Sequence, residues 1–294
     1  MKRFFIPVLF CFFSCNCLLA QTSEKKLRFA FLTDIHLNAT NDGERLDGLK
    51  QALAKVKELD VDFIITGGDQ LDVSSGSKNY VSRKQADSLY TVLKETLDAG
   101  KFTYYPTIGN HDRYWDTDNG FVNGDELFKS YFKESYYTFE SKGVRFFVLN
   151  SAQNGGETGY VVGEAQLKWL QGQLADIPAE TPIVVSTHVP VYSLYYPLVK
   201  NQHVFVDMIS NYKELLGTFE NHNLQLVLQG HQHLHEEIKV QNVQFITGGA
   251  VCAGWWGGSY WGTEEGFLLV EISKDNLFTW KYIDYEWTPK KERK

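Results

Sequence analysis

Cysteine is nearly missing from this sequence. Of the four in 294 residues, Cys11, Cys15 and Cys17 fall within the first twenty positions, and Cys252 stands alone in the remainder. An internal disulfide is thereby excluded after position 20, as are cysteine-built zinc and iron–sulfur sites. Lone Cys252 has no partner to mark it as a nucleophile, and no Gly-x-Ser-x-Gly element signals a serine hydrolase. Positive charge is also scarce: 29 Lys and Arg stand against 36 Asp and Glu, a formal net charge of −7. That balance argues against a grip on a nucleic-acid polymer or an anionic membrane. Beyond the N-terminus no apolar run approaches the roughly 20 residues that a bilayer span needs. What the chain does have is 43% hydrophobic and 15% aromatic residues, enough for a substantial core. Neither a repeat nor a linker divides it, so residues 21–294 read as one domain.

The first twenty residues form a unit of their own. Lys2-Arg3 is a charged start, Phe4 to Phe13 is apolar, and Leu18-Leu19-Ala20 precedes Gln21 as a cleavage site. This reads as a secretory signal peptide, giving an exported protein, periplasmic or extracellular, with no transmembrane helix in its mature form. Two alternatives are a short membrane anchor and lipid attachment at Cys15 or Cys17. Without Lys2 and Arg3 the net charge of −7 becomes −9.

From Leu27 onward apolar runs alternate with helical periodicity. Leu27–Thr33, Val61–Thr66 and Phe102–Ile108 read as buried strands. Between them, 43–59 and 82–97 carry apolar residues three to four apart, as helices packed on a sheet do. Residues 113–135 read as an aromatic capping loop with a short helix, and 136–139 with 144–149 as a hairpin. Helices are expected over 164–174 and 204–219, with strands at 182–186, 224–228, 237–240, 243–246, 267–272 and 278–285. Strands alternating with helices predict an α/β fold with a mostly parallel sheet.

Polar residues gather where strands end. In order they are Asp34 and His36; Asp69; Gly109-Asn110-His111-Asp112; His188; and His231 with His233. In open α/β sheets that edge is where ligands bind. Carboxylate, amide and imidazole without thiolate suit Mn, Fe or Zn. Ligands two apart, as in Asp34/His36 and His231/His233, share a face in extended backbone, which strand ends supply. His203, His222 and His235 match no such position and read as surface or structural residues. Asp72 reads as a loop-fixing residue behind the site.

The ordered series D-x-H, G-D-x-x-D, G-N-H-D, a lone H and G-H-x-H, spanning Asp34 to His233, resembles the calcineurin-like metallophosphoesterase superfamily. The resemblance implies a four-layer α-β-β-α sandwich with a dinuclear metal site at the strand C-terminal edge. It implies two divalent or trivalent metal ions. Asp34, His36 and His233 would hold one; Asn110, His188 and His231 the other; Asp69 would bridge them. It implies in-line attack on a phosphate ester by a hydroxide between the metals, with His111 protonating the leaving oxygen or stabilising charge. Asp112 is the candidate to fix the His111 tautomer. The opening D-x-H resembles the branch acting on cyclic nucleotides and glycerophosphodiesters, although monoesterases share it. Purple acid phosphatases carry a tyrosine where this chain has Asp72, so a tyrosinate-bound iron is not expected. The expected partner is a small phosphate ester. The glycine- and tryptophan-rich stretch 248–262 should return to the metal edge, where Trp255 and Trp256 either stack on an aromatic or apolar leaving group or only cover the core.

Overall fold

The computed structural model describes residues 24–39, 43–75 and 78–290. The leader reading, with Cys15 and Cys17, lies outside them. Strand β1 (Lys25–Leu32) sends Leu27, Phe29 and Phe31 to one side and Ala30 and Leu32 to the other, all buried. Burial on both faces is why this strand reads as continuously apolar. Helix α1 (Glu44–Glu58) buries Leu49, Ala52, Leu53 and Val56, a stripe at three- and four-residue spacing. Glu44 and Asp47 in its first turn, and Lys55 and Lys57 in its last, match the helix dipole. After β2 (Phe63–Thr66), α2 (Arg83–Ala99) opens on a reciprocal cap between Ser82 and Gln85 and buries Ala86, Tyr90, Leu93 and Leu97. Strand β3 (Tyr104–Pro106) follows.

Further along come α3 (Glu126–Phe132), the hairpin β4 (Tyr137–Ser141) and β5 (Val144–Val148), and the two-residue pair β6 (Gln153–Asn154) and β7 (Tyr160–Val161). Next are α4 (Glu164–Ala175), β8 (Ile183–Ser186), α5 (Tyr212–Gly217), β9 (Leu224–Gln229), β10 (His235–Val240), β11 (Val243–Gly248), β12 (Gly266–Ser273) and β13 (Phe278–Asp284). The strands form two large sheets, ordered β13-β12-β1-β2-β3 and β10-β11-β9-β8-β5-β4. In the first sheet β1, β2 and β3 pair in parallel out to one edge, with antiparallel pairing at β12 and β13; in the second β11, β9, β8 and β5 are parallel, flanked by antiparallel β10 and β4. The parallel reading thus holds for part of each sheet.

Leu27, Phe29, Phe31, Val184, Leu226 and Leu268 fill the space between the sheets. α1 and α2 cover the outside of the first sheet, and α4 and α5 that of the second. This is the four-layer α-β-β-α sandwich. Because both parallel centres point the same way, the C-terminal ends of β1, β2, β3, β8 and β9 converge on one edge.

The helix expected over 204–219 is much shorter. Residues 201–206 are exposed, Asp207 has a φ of 52°, and the Gln232 amide donates to the Asp207 carbonyl at 3.0 Å. Val204-Phe205-Val206 are poor helix formers that find no surface to pack on, so only Tyr212–Gly217 coils.

Candidate metal centre

Turns that leave the strand ends bring the sequence-selected residues to one place. The Asp69 carboxylate reaches across: Oδ2 lies 3.0 Å from His188 Nε2 and 3.8 Å from His36 Nε2, while Oδ1 accepts the His111 amide at 2.7 Å. The Asp34 carboxylate lies 3.4 Å from His233 Nε2 and 3.9 Å from His36 Nε2, and also accepts the His231 amide. Four close groups of potential donors result among the described residues, and two of them, Asp34/His36/Asp69 and Asp69/His188/His231, share Asp69. Asn110 is buried beside them.

The backbone does not deliver these side chains in extended form. Asp34, His36, Asp69, His231 and His233 all have φ between 50° and 73°. This corrects the reading of Asp34/His36 and His231/His233 as strand-like pairs: left-handed steps turn each pair inward. Non-glycine residues rarely adopt such angles, and they concentrate at functional sites. Gly109 is required by proximity, since a Cβ there would stand 2.1 Å from Asp69 Oδ1.

The hydrogen bonds test whether a cation fits. His36 Nδ1 donates to Asp72 at 2.9 Å, and His233 Nδ1 donates to the Ala253 carbonyl at 2.6 Å. Both Nε2 atoms therefore carry lone pairs, and they face each other at 3.0 Å beside the Asp34 carboxylate. Such a convergence repels itself unless positive charge lies within it. His188 Nδ1 donates to the Gly67 carbonyl at 2.9 Å, which turns its Nε2 toward Asp69 Oδ2, 3.0 Å away. Asn110 Oδ1 is buried without a hydrogen-bond partner among the described residues. Ring nitrogens fixed from behind by carboxylate or carbonyl, with the other nitrogen bare, form the usual setting of metal-ligating imidazoles. The residues fit two metal ions.

Without the ions, the carboxylates hold protons on some of these rings. Burial lowers His188, but Asp69 and Asp34 outweigh it and raise the ring to about 9, so its Nε2 keeps a proton that a bound cation would displace. Burial raises Asp69, yet His188 and His111 hold it well below the usual carboxylate range. His233 is pushed down to about 4, chiefly by burial, and so stays a neutral donor. Burial also lowers His111, but Asp69 and Asp72 raise it to about 9.

Two assignments are corrected. Asp112 does not orient His111: its two oxygens accept the amides of Leu71 and Gly109, at 2.9 and 2.8 Å. It is fully buried and fixes the loop, and burial with Asp69 nearby pushes it up to about 7. The carboxylate at His111 is Asp72, 3.0 Å from Nδ1, which also holds His36. Burial would raise Asp72, but the bonds from His111 and His36 lower it strongly. Arg45 adds a contact at 3.4 Å.

Trp256 is the second correction. It is buried, its indole donates to the Ile35 carbonyl at 2.7 Å, and it packs against Trp287. Trp255 instead stacks on His233 with centroids 4.1 Å apart and lines the cavity. Cys252 is buried, and burial raises its thiol well above normal. Trp256→Ala is expected to lose about 3–5 kcal/mol of stability, as core aromatic truncations do. Trp255→Ala should keep its urea midpoint and raise KM for an aryl phosphate ester about tenfold, the effect of one lost stacking contact. Equal urea midpoints for the two variants would overturn the distinction.

The cavity holds about 210 Å³ and includes side chains the motifs did not mark: Tyr195, Tyr196, Lys200, Asp207 and Tyr260. Tyr195 and Tyr260 join hydroxyls at 2.5 Å, and the Tyr196 hydroxyl donates to Asp207. Asp207 lies 4.0 Å from His231 Nε2. Only the Tyr-Tyr pair and the nearby lone Asp hint at them; no spacing rule ties residues 195–207, 24 to 36 positions upstream, to His231.

Residues 27–235 match the family model described as calcineurin-like phosphoesterase. The chain belongs to that family, whose fold and divalent-metal binding it shares, and it is a metal-dependent phosphoester hydrolase. Among solved structures, a dimetal phosphatase from Danio rerio matches with a TM-score of 0.63 at 16% identity, over 88% of this chain and 96% of that one. GAP50, the anchor in the inner membrane complex of Plasmodium, matches with a TM-score of 0.57 at 17% identity, over 90% and 86%. At these identities the likeness is one of fold. No curated protein matches the sequence.

Proposed function

We propose that this protein is an exported dinuclear-metal phosphohydrolase that cleaves small phosphodiesters of the nucleotide or glycerophosphodiester kind. The observation that carries it is the pair of donor groups sharing Asp69, with bare imidazole nitrogens turned inward. Asp34, His36 and His233 would hold one ion; Asn110, His188 and His231 the other; Asp69 would serve both. Bound there, the metals would neutralise phosphate charge and lower the pKa of water from 15.7 to about 7. The chain's own residues do the rest. His111, 3.0 Å from Asp72, is placed to give an Nε2 proton to the leaving oxygen. Trp255, stacked on His233, offers a flat face to the leaving group.

A second reading, a phosphomonoesterase of broad specificity, is favoured by Lys200. Its ammonium on the cavity wall adds a cation for a dianionic monoester. Rates on bis-p-nitrophenyl phosphate and p-nitrophenyl phosphate after metal reconstitution decide between them. A faster diester supports the first reading, a faster monoester the second, and no hydrolysis of either overturns both.

The export reading rests on the sequence of the first twenty residues. Among the described residues no helix is long and apolar enough to cross a membrane. Intact mass of protein recovered from the cell envelope is expected to show a chain starting near Gln21. A diacylated Cys15 or Cys17 would replace free export by anchoring.

A further inference from the structure

Ten large apolar side chains are exposed among the described residues. Five of them, Leu194, Leu198, Val204, Phe205 and Val206, fall on one short segment between β8 and α5. Phe205 is 83% exposed and Leu198 68%, and it is their clustering on one segment that sets them apart from singly exposed apolar residues. A sixth, Trp261, is 63% exposed and follows Tyr260, whose hydroxyl meets that of Tyr195. The same two loops turn Tyr195, Tyr196, Lys200, Asp207 and Tyr260 into the cavity. Apolar side chains outside and polar ones inside thus make a rim around the metal centre.

The rim is held in place. The Ser193 hydroxyl and Leu194 amide donate to Glu236 at 2.7 and 2.8 Å, and Gln232 ties down the Asp207 carbonyl. Between these anchors, residues 201–206 are all exposed. Exposed apolar patches with polar borders mark docking sites for proteins or membranes. Here the occupant must satisfy a further condition, because whatever covers the rim also covers the cavity. A docked protein would shut the cavity off from substrate. A lipid surface would instead bring its own phosphate to Lys200 and the metal-site residues, while Phe, Leu and Trp enter its interface. Charge agrees: Lys200 and Asp207 cancel along the segment, and a chain of net charge −7 suits a neutral or zwitterionic surface.

We propose that this rim docks on a lipid surface and that the substrate is a membrane-borne phosphate ester with apolar chains. The inference rests on the phosphohydrolase reading and names its substrate class. Two measurements test it: flotation with phosphatidylcholine vesicles, and kinetics on ethyl against hexadecyl p-nitrophenyl phosphate diesters. The wild-type protein should float, and its KM for the hexadecyl diester should be lower by about tenfold or more, the effect of burying one large apolar side chain. Phe205→Glu, and independently Leu198→Glu, should abolish both effects and leave ethyl diester turnover unchanged. Both side chains are exposed, so neither change threatens the fold. Equal KM values for the two diesters in the wild type, or no flotation, would overturn the proposal. So would a wild-type dimer that does not float and that Phe205→Glu dissociates, since the rim would then join two copies. If no ester is hydrolysed while the wild type floats and Phe205→Glu does not, docking stands and the phosphohydrolase reading falls.

Discussion

Asp69→Ala is expected to empty both metal sites at once. The two donor groups meet only at this carboxylate, which lies 3.0 Å from His188 Nε2 and 3.8 Å from His36 Nε2. Activity should fall well beyond the roughly 10–100-fold that follows loss of an outer hydrogen-bonding partner. Asp69→Asn separates charge from geometry. An amide oxygen can still accept the His111 amide, now 2.7 Å from Asp69 Oδ1, but it brings no negative charge. Elemental analysis of the purified variants is the deciding measurement. Asn should lose metal almost as completely as Ala while keeping the wild-type circular dichroism. Two full metal equivalents retained in either variant would refute the shared role.

His111→Ala should show the opposite pattern, with metal retained and turnover lost. Its ring stands over the cavity, and neither of the two donor groups that share Asp69 contains it, although it lies close to His36 and Asp72. Loss of a general acid costs roughly 10²–10⁴-fold in kcat. The deficit should depend on the leaving group, large for an alkyl alcohol and small for p-nitrophenolate, which departs without a proton. Asp72→Asn tests the partner found in the structure. It should cost about 10–100-fold, the usual penalty for an outer partner that orients an imidazole. Asp112→Asn should instead appear as lost stability, because both Asp112 oxygens accept loop amides. Should alkyl and p-nitrophenyl esters suffer equally in His111→Ala, the ring is not the proton donor.

Much of this was legible from one dimension. Buried parallel strands declare themselves as short apolar runs, and the polar residues that end them stand out because nothing else interrupts those runs. Hence Asp34, Asp69, His188 and His231 could be chosen before any fold was known. What the sequence could not carry was direction. Asp72 and Asp112 are both acids near His111, and adjacency favoured Asp112. Only the turn after β2 shows that Asp72 points to the ring while Asp112 points into the loop. Trp255 and Trp256 are neighbours of equal chemistry, separated by a left-handed step that sends one toward His233 and the other toward Ile35. The over-long helix at 204–219 failed for a related reason. Apolar periodicity cannot tell a buried face from a rim of exposed side chains.

The sharing of the centre between the two sheets has a mechanical consequence. Asp34, His36, Asp69 and Asn110 follow strands of the first sheet, and His188, His231 and His233 follow strands of the second. One sheet contributes all of the carboxylates and the other only imidazole rings. Neither sheet would supply every ligand of the two proposed ions, so ligation would act as a rivet through the open end of the sandwich. A rivet of that kind makes the halves unfold together. Its removal by a chelator takes away a stabilisation that grows with the logarithm of metal concentration over Kd. The protein's resistance to heat should therefore report the metal content of its surroundings, with the first opening at the edge where substrate enters.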